Sequence, residues 1–273
     1  MFGIFFRGMA VGVTETVPGI SSSTVAMIFG IYERLVYSLS ILTTKRRKEA
    51  LPFLLLFGAG MILGFAVSIF IVGYLLAYYR TPTLIFFVGI IVGFLPFLWK
   101  ETLQQANHRL QAKHYVIMLL FISLIVFSPF LGAMNNINVD NLSVFDYIFF
   151  TAAGFIASTA LVLPGISGAL ILTILGVYET ATASLLAFNF PVIAAIGSGM
   201  IAGILLTSKL IRYLLTRYPS ETYAAMMGLV SASIYAIFFN LDPIAGFSSL
   251  AFSAVTFLAG IAFINTLMQK SKM

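Results

Sequence analysis

The sequence predicts an all-α polytopic membrane protein with two inverted-topology repeats, each a re-entrant helical hairpin plus three transmembrane helices. Three observations predict it. The chain of 273 residues is 60% hydrophobic and only 9% charged, with a mean hydropathy of +1.05, and no soluble class has that balance. One helix-breaking stretch occurs twice. Finally, the basic residues gather on one side of the membrane under a single threading of the chain.

The repeated stretch reads Val17-Pro18-Gly19-Ile20-Ser21-Ser22-Ser23-Thr24 and then Gly30-Ile31-Tyr32-Glu33. Its second copy reads Leu163-Pro164-Gly165-Ile166-Ser167-Gly168-Ala169-Leu170 and then Gly176-Val177-Tyr178-Glu179. A constant shift of 146 carries 18 onto 164 and 33 onto 179. Pro lacks an N–H and Gly loosens the backbone, so a helix entering from Gly8 should stop near Pro18 and restart at Ser21. Inside a bilayer such a break is tolerated only where protein or a wet cavity covers the freed backbone. Two matched breaks point to a binding site between the repeats of a transporter.

The N-terminus, Met1 to Arg7, has no basic stretch before its apolar run and reads as a retained first helix rather than a cleaved signal. Crossing the hydrocarbon core takes about 20 helical residues. Phe2 to Val17 is too short, as is Ser21 to about Tyr37, so the pair is expected to form a re-entrant hairpin. Two short tilted spans are the alternative, and either form returns the chain to its starting side. Lys45-Arg46-Arg47-Lys48 then marks a cytoplasmic loop. Pro52 to Tyr79 is a long span with Gly58, Gly60 and Gly64 spaced for close packing. After the turn at Arg80-Thr81-Pro82, Thr83 to Trp99 crosses back, Lys100 to His114 forms a polar loop, and Tyr115 to Leu131 crosses again. Residues 134–141 carry no Lys or Arg and should face outside.

The second half follows the same plan. Phe145 to Leu163 and Ser167 to Leu186 form the second hairpin. Pro191 to Arg217 is the long span, whose Gly197, Gly199 and Gly203 match Gly58, Gly60 and Gly64 at a shift of 139. Thr222 to Asn240 and Ser248 to Met268 complete the set. The chain thus reads as a single membrane domain over 1–273, with repeat 1 about 1–133 and repeat 2 about 143–273. Three crossings, an odd number, separate the hairpins, so the second repeat enters from the opposite side. With both termini cytoplasmic, fourteen of the fifteen Lys and Arg residues fall inside and only Arg80 outside. The net charge of +6 therefore reflects membrane orientation rather than affinity for nucleic acid. The chain has no cysteine, which excludes disulfides. His108 and His114 lie in a polar loop without a carboxylate cluster, so no metal or other cofactor is expected.

The candidate binding residues are those of the tips. A restarted helix presents free N–H groups and a positive dipole end. Ser21, Ser22, Ser23 and Thr24 add hydroxyls at one tip and Ser167 at the other, beside the breakers Pro18, Gly19, Pro164 and Gly165 and the small Gly168. Together they suit an anion such as a phosphate; the plainer reading is that each serine caps its own helix. Glu15 should lie deep, where an acidic residue costs about 2.5–3.5 kcal/mol on insertion scales. Its repeat counterpart is Leu161, so the architecture does not require it. Proton coupling, an ion pair with Lys209 or Arg212, or a bond to a neighbouring helix would each account for it. Lys209 and Arg212 share a face of the long span and either snorkel to headgroups or line a basic vestibule. Glu33 and Glu179 are expected to hold the hairpin bases, and Arg34 to anchor at the interface.

The two Pro-Gly-Ile-Ser tips, the Gly-Ile-Tyr-Glu and Gly-Val-Tyr-Glu endings and the repeat itself resemble the bacterial polyprenyl-phosphate transporter family, called PopT, over almost the whole chain. Ser22 and Ser23 stand where glycines are common in that family. The resemblance implies a flippase of the bacterial plasma (inner) membrane that returns undecaprenyl phosphate from the outer to the inner leaflet, so that the carrier lipid is reused for peptidoglycan and other envelope polymers. It also implies substrate contacts from Glu15, Pro18, Gly19, Ser21, Pro164, Gly165 and Ser167. The expected partners are the polyprenyl-phosphate lipid, the bilayer and, as candidate coupling ion, protons; a homo-oligomer is compatible with the sequence. A transporter of a small soluble anion or ion is the alternative. A lipid phosphatase fits least, because no His, Cys or paired carboxylates lie near the tips.

The threading can be tested with single cysteines. A cysteine at Asn136 should react with an impermeant reagent added outside, and one at Lys45 should not; the reverse pattern contradicts it.

Overall fold

The computed structural model describes residues 2–15, 17, 20–127, 142–239, 241 and 247–270. The elements among them are all helices: α1 (Phe2–Thr14), α2 (Ser22–Ile28), α3 (Tyr32–Ile41), α4 (Arg47–Tyr78), α5 (Arg80–Gln105), α6 (Ala112–Phe127), α7 (Val144–Val162), α8 (Gly168–Ile174), α9 (Tyr178–Leu186), α10 (Phe190–Arg217), α11 (Pro219–Phe239) and α12 (Phe247–Lys270). Six of the described helices are long and apolar enough to cross a membrane: α4, α5, α7, α10, α11 and α12. The chain is therefore a multi-pass membrane protein. The expected span from Tyr115 is described only as far as Phe127 and lies within α6, whose sixteen residues begin at Ala112. Pro18, Gly19, Lys272 and the expected outer loop 134–141 lie outside the described residues.

Both hairpins depart from expectation in their second arm. Ser21 to about Tyr37 was expected as one helix, but it breaks between α2 and α3 with a bend of 120°. Ser167 to Leu186 breaks in the same way between α8 and α9. The cause is Gly30 at φ +64° and Gly176 at φ +69°, a left-handed conformation that only glycine takes at little cost. Each glycine closes its helix with the same pair of bonds. Gly30 N–H donates to Met27 O and Ile31 N–H to Ala26 O, both at 2.9 Å; Gly176 N–H donates to Thr173 O at 3.0 Å and Val177 N–H to Leu172 O at 2.9 Å.

The first arms also differ from each other. The thirteen residues of α1 reach about 20 Å, short of a bilayer core. The nineteen of α7 reach about 28 Å. A capping box starts α7: Ser143 N–H donates to Asp146 Oδ2 at 2.7 Å, and Asp146 N–H donates to Ser143 Oγ at 3.4 Å.

Glycine sets the packing of α1 on α4 and of α7 on α10. A Cβ on Gly60 would collide with Phe5 O, and one on Gly64 with Met9 O; a Cβ on Gly199 would meet Thr151 O, and one on Gly203 Phe155 O. The shifts of 139 and 146 carry the first pair of contacts onto the second. Gly58 and Gly197, expected in the same role, face open space.

The central spans obey an exchange. Gly89 of α5 lies against Phe257 O of α12, and Gly228 of α11 against Met118 O of α6. A shift of 139 carries Gly89 onto Gly228 and Met118 onto Phe257, so each half supplies what the other receives. One apolar cluster draws on both halves, with Val25, Ile28 and Val36 alongside Val162, Met226 and Ile264. The outer helices α4, α10 and α12 expose large apolar side chains such as Phe70, Ile201 and Val255, as a lipid-facing surface should.

These contacts give opposite expectations for two neighbouring glycines. Gly64→Ala should lower stability in detergent by about 1–3 kcal/mol, because the methyl meets backbone that cannot yield. Gly58→Ala should raise it by up to about 1 kcal/mol, because it only improves helix propensity. Thermal unfolding of the two variants in one detergent checks the pair.

Candidate functional site

The two tips meet. Gly165 N–H donates to Thr24 Oγ1 at 2.8 Å, and Ser21 Oγ donates to Leu163 O at 3.3 Å. A third bond reaches the same break from further along, where Tyr32 Oη donates to Val162 O at 3.0 Å. Pro164 and the turn after it end α7, so Val162 and Leu163 cannot bond onward along a continuous helix. Side chains of the first motif supply the missing donors, and Thr24 supplies an acceptor for the second motif's N–H.

Gly165 is required where it stands. Its φ is +88°, and a Cβ there would strike the backbone of α11 at Leu229 and Val230. Pro164, Gly165 and Gly168 are buried, as are Ser21, Ser22, Ser23 and Thr24. Four buried hydroxyls on consecutive residues form an unusual polar patch in so apolar a chain.

Ser21 and Ser167 occupy the N-cap positions of α2 and α8 in extended conformation, yet neither side chain makes a capping bond. The serines are therefore not serving as plain helix caps. Ser21 Oγ instead lies 2.6 Å from Ser23 Oγ, and the half-buried Ser167 makes no side-chain hydrogen bond among the described residues.

Glu15 ends the turn after α1, with its carboxyl group in reach of the Ser22 hydroxyl. Its Oε1 is buried and has no hydrogen-bond partner among the described residues. Glu15 forms no ion pair with Lys209 or Arg212 there. Lys209 is exposed. Arg212 turns to α3, where its Nη1 donates to Ser40 Oγ at 3.2 Å and its guanidinium stacks 4.5 Å from the Tyr37 ring centre. Arg34 likewise stacks on Phe53, at 4.7 Å. Both arginines pin the far end of the first hairpin to long spans.

Sequence reasoning singled out neither Tyr32 nor Tyr223. The signal for Tyr32 was present, since a repeated Gly-x-Tyr-Glu puts a hydroxyl donor next to a helix break. Tyr223 carries no motif; its Oη donates to Glu33 Oε1 at 2.8 Å and ties the hairpin base to α11. A cavity of about 360 Å³ opens beside this bond, lined by Tyr32, Glu33, Lys100, Glu101, Gln104 and Tyr223 over an apolar floor. Among the described residues no group of three or more His, Cys, Asp or Glu side chains could hold a metal.

The profile of the undecaprenyl phosphate translocase-like family matches residues 11–246. The polyprenyl-phosphate transporter of Staphylococcus aureus is 32% identical over 268 residues, 93% of each chain. That of Vibrio cholerae is 26% identical over 244 residues, covering 84% of this chain and 75% of its own. No solved structure matches.

The cross-tip bond from Gly165 gives Thr24 a structural role. Thr24→Val should cost about 1–3 kcal/mol, the penalty of a buried N–H left without an acceptor. Thr24→Ser should restore most of it. Unfolding in detergent separates the two.

Proposed function

Because the chain belongs to the undecaprenyl phosphate translocase-like family, we propose that it is a flippase that carries undecaprenyl phosphate from the outer to the inner leaflet of a bacterial plasma membrane. The observation that supports this most is the meeting of the two broken helices. Their hydroxyls, with Glu15 beside them, gather into one buried polar patch shared by both halves of the chain. A phosphate needs donors of this kind, and Ser21, Ser22, Ser23, Thr24 and Ser167 can turn their hydroxyls toward it. Pro164, Gly165 and Gly168 line the same place from the second tip, and Pro18 and Gly19 are counted with them as substrate contacts on the strength of the repeated motif alone.

The prenyl tail sets the rest of the scheme. Moving it into water would cost about 0.8 kcal/mol per CH₂, so it stays in the bilayer while only the headgroup follows the polar path. The exchange of contacts between the halves suits two repeats, about 1–133 and 143–273, in one domain. With three spans between the hairpins these repeats are inverted, both termini are cytoplasmic, and the two tips address the site from opposite leaflets. Lys209 and Arg212 lie on the side where the headgroup would be delivered. The chain acts as a carrier rather than an enzyme, a reading supported by the naming of its relatives as transporters.

Glu15 is the candidate coupling group. A carboxyl group beside a bound phosphate is tolerated when it carries a proton, so a proton taken up outside with the headgroup and released inside would bias transport. The test is exchange of undecaprenyl phosphate between leaflets of liposomes holding the purified protein. Exchange above that of protein-free liposomes is expected, accelerated by an inward proton gradient. Glu15→Gln should keep lipid binding and lose the response to the gradient. A Gln variant that still responds as the wild type does excludes Glu15 as the coupling group, and no exchange at all overturns the flippase reading.

A further inference from the structure

The two Gly-x-Tyr-Glu turns are equivalent in sequence but not in the structure. Tyr32 is 3% exposed and bonded to Val162 O, two residues before Pro164 of the opposite tip. Tyr178, at the matching position, is 43% exposed, and its hydroxyl has no partner among the described residues. Glu33 accepts from Tyr223 Oη at 2.8 Å, whereas the side chain of Glu179, exposed like that of Glu33, has no partner among the described residues. The residue equivalent to Tyr223 on α5 is Leu84, which has no hydroxyl to give. One turn is thus closed onto the other half and its twin is open.

Tyr32 also has two faces. Its ring lines the cavity of about 360 Å³ whose rim holds Lys100, Glu101 and Gln104, while its hydroxyl closes the seam between the tips. The same cavity is lined by Met27 and Ile28 at the C-terminal end of α2 and by Gly30 and Tyr32 after it. Gly30 lies between the two helices: its left-handed backbone ends α2 and turns the chain by 120° into α3.

We propose that Tyr32 is a latch between the tip site and the cavity at the Lys100 end, and that Tyr178 makes the equivalent closure on the opposite side when Tyr32 releases. The structure is then one of two states related by exchange of the repeats, with the path toward Lys100 shut. The proposal rests on the tips being the headgroup site, and it adds which residues decide the side from which that site is reached. The rim suits an anionic headgroup in transit. Glu33 and Glu101 are already engaged, by Tyr223 and by Gln105 Nε2 at 3.1 Å, while the Lys100 ammonium has no partner among the described residues.

The test needs no polyprenyl-phosphate substrate, so its failure is distinguishable from failure of the flippase reading. The cysteine-free chain takes a single reporter, Ser23→Cys, at a tip position that is 3% exposed. An impermeant maleimide is applied from the Lys100 side of oriented proteoliposomes. Adding Tyr32→Phe, which keeps the ring and loses the bond, should raise the labelling rate about threefold or more, as expected for losing one hydrogen bond between membrane helices. Tyr223→Phe, remote from the tips, should raise it in the same direction by releasing Glu33. Tyr178→Phe should lower it, because it weakens the alternate state and leaves Tyr32 latched for longer. Labelling unchanged by both Tyr32→Phe and Tyr223→Phe overturns the latch. So does a Tyr178→Phe that speeds labelling, since the substitutions would then only loosen the protein.

Discussion

The structure depends on hydrogen bonds that a broken helix cannot make for itself. In water the carbonyls of Val162 and Leu163 and the N–H of Gly165 would be solvated, and the break after α7 would need no support. In an apolar chain each needs a partner from protein. All three partners come from the first motif: Tyr32, Ser21 and Thr24. The hydroxyl-rich stretch of one repeat is therefore the condition for the break in the other. This explains why serine and threonine gather at a point where the rest of the chain is apolar, and it puts the polar groups that suit an anion at the junction of the two halves.

That junction is held in place by backbone contacts that leave no room for a side chain. Gly60 and Gly64 seat α1 on α4, Gly199 and Gly203 seat α7 on α10, and Gly89 and Gly228 join the central spans. With few charges to pair, close van der Waals packing carries the association of these helices. The ion pairs described, such as Lys113 with Glu221 at 2.5 Å, sit at helix ends. These packed supports frame the two tips, and Gly30 and Gly176 turn the chain a second time in each hairpin.

The sequence made much of this legible, and what it left out has physical causes. The spans were readable because apolar runs of this length have one stable arrangement, and the tips because Pro-Gly between apolar stretches is costly unless used. The second break in each hairpin is marked in the sequence by Gly30 and Gly176, but glycine inside an apolar run is compatible with continuous helix, and only the left-handed φ of each distinguishes the two. Helix periodicity leaves Arg212 either snorkelling to headgroups or lining a basic vestibule; its engagement with Tyr37 and Ser40 depends on how α10 meets α3. Tyr223 was invisible because its partner, Glu33, is 190 positions away. Gly58 shows the limit of spacing arguments: it shares the pattern of Gly60 and Gly64 but looks outward.

The central claim is that one headgroup is held by both tips at once. Its most direct measurement is photocrosslinking with an undecaprenyl phosphate analogue that carries its reactive group beside the phosphate, followed by mapping of the adducts. The account predicts adducts in both the 15–24 and the 163–168 stretches, competed by unmodified undecaprenyl phosphate. Adducts confined to one tip, or found only on the basic loop around Lys45, would contradict it.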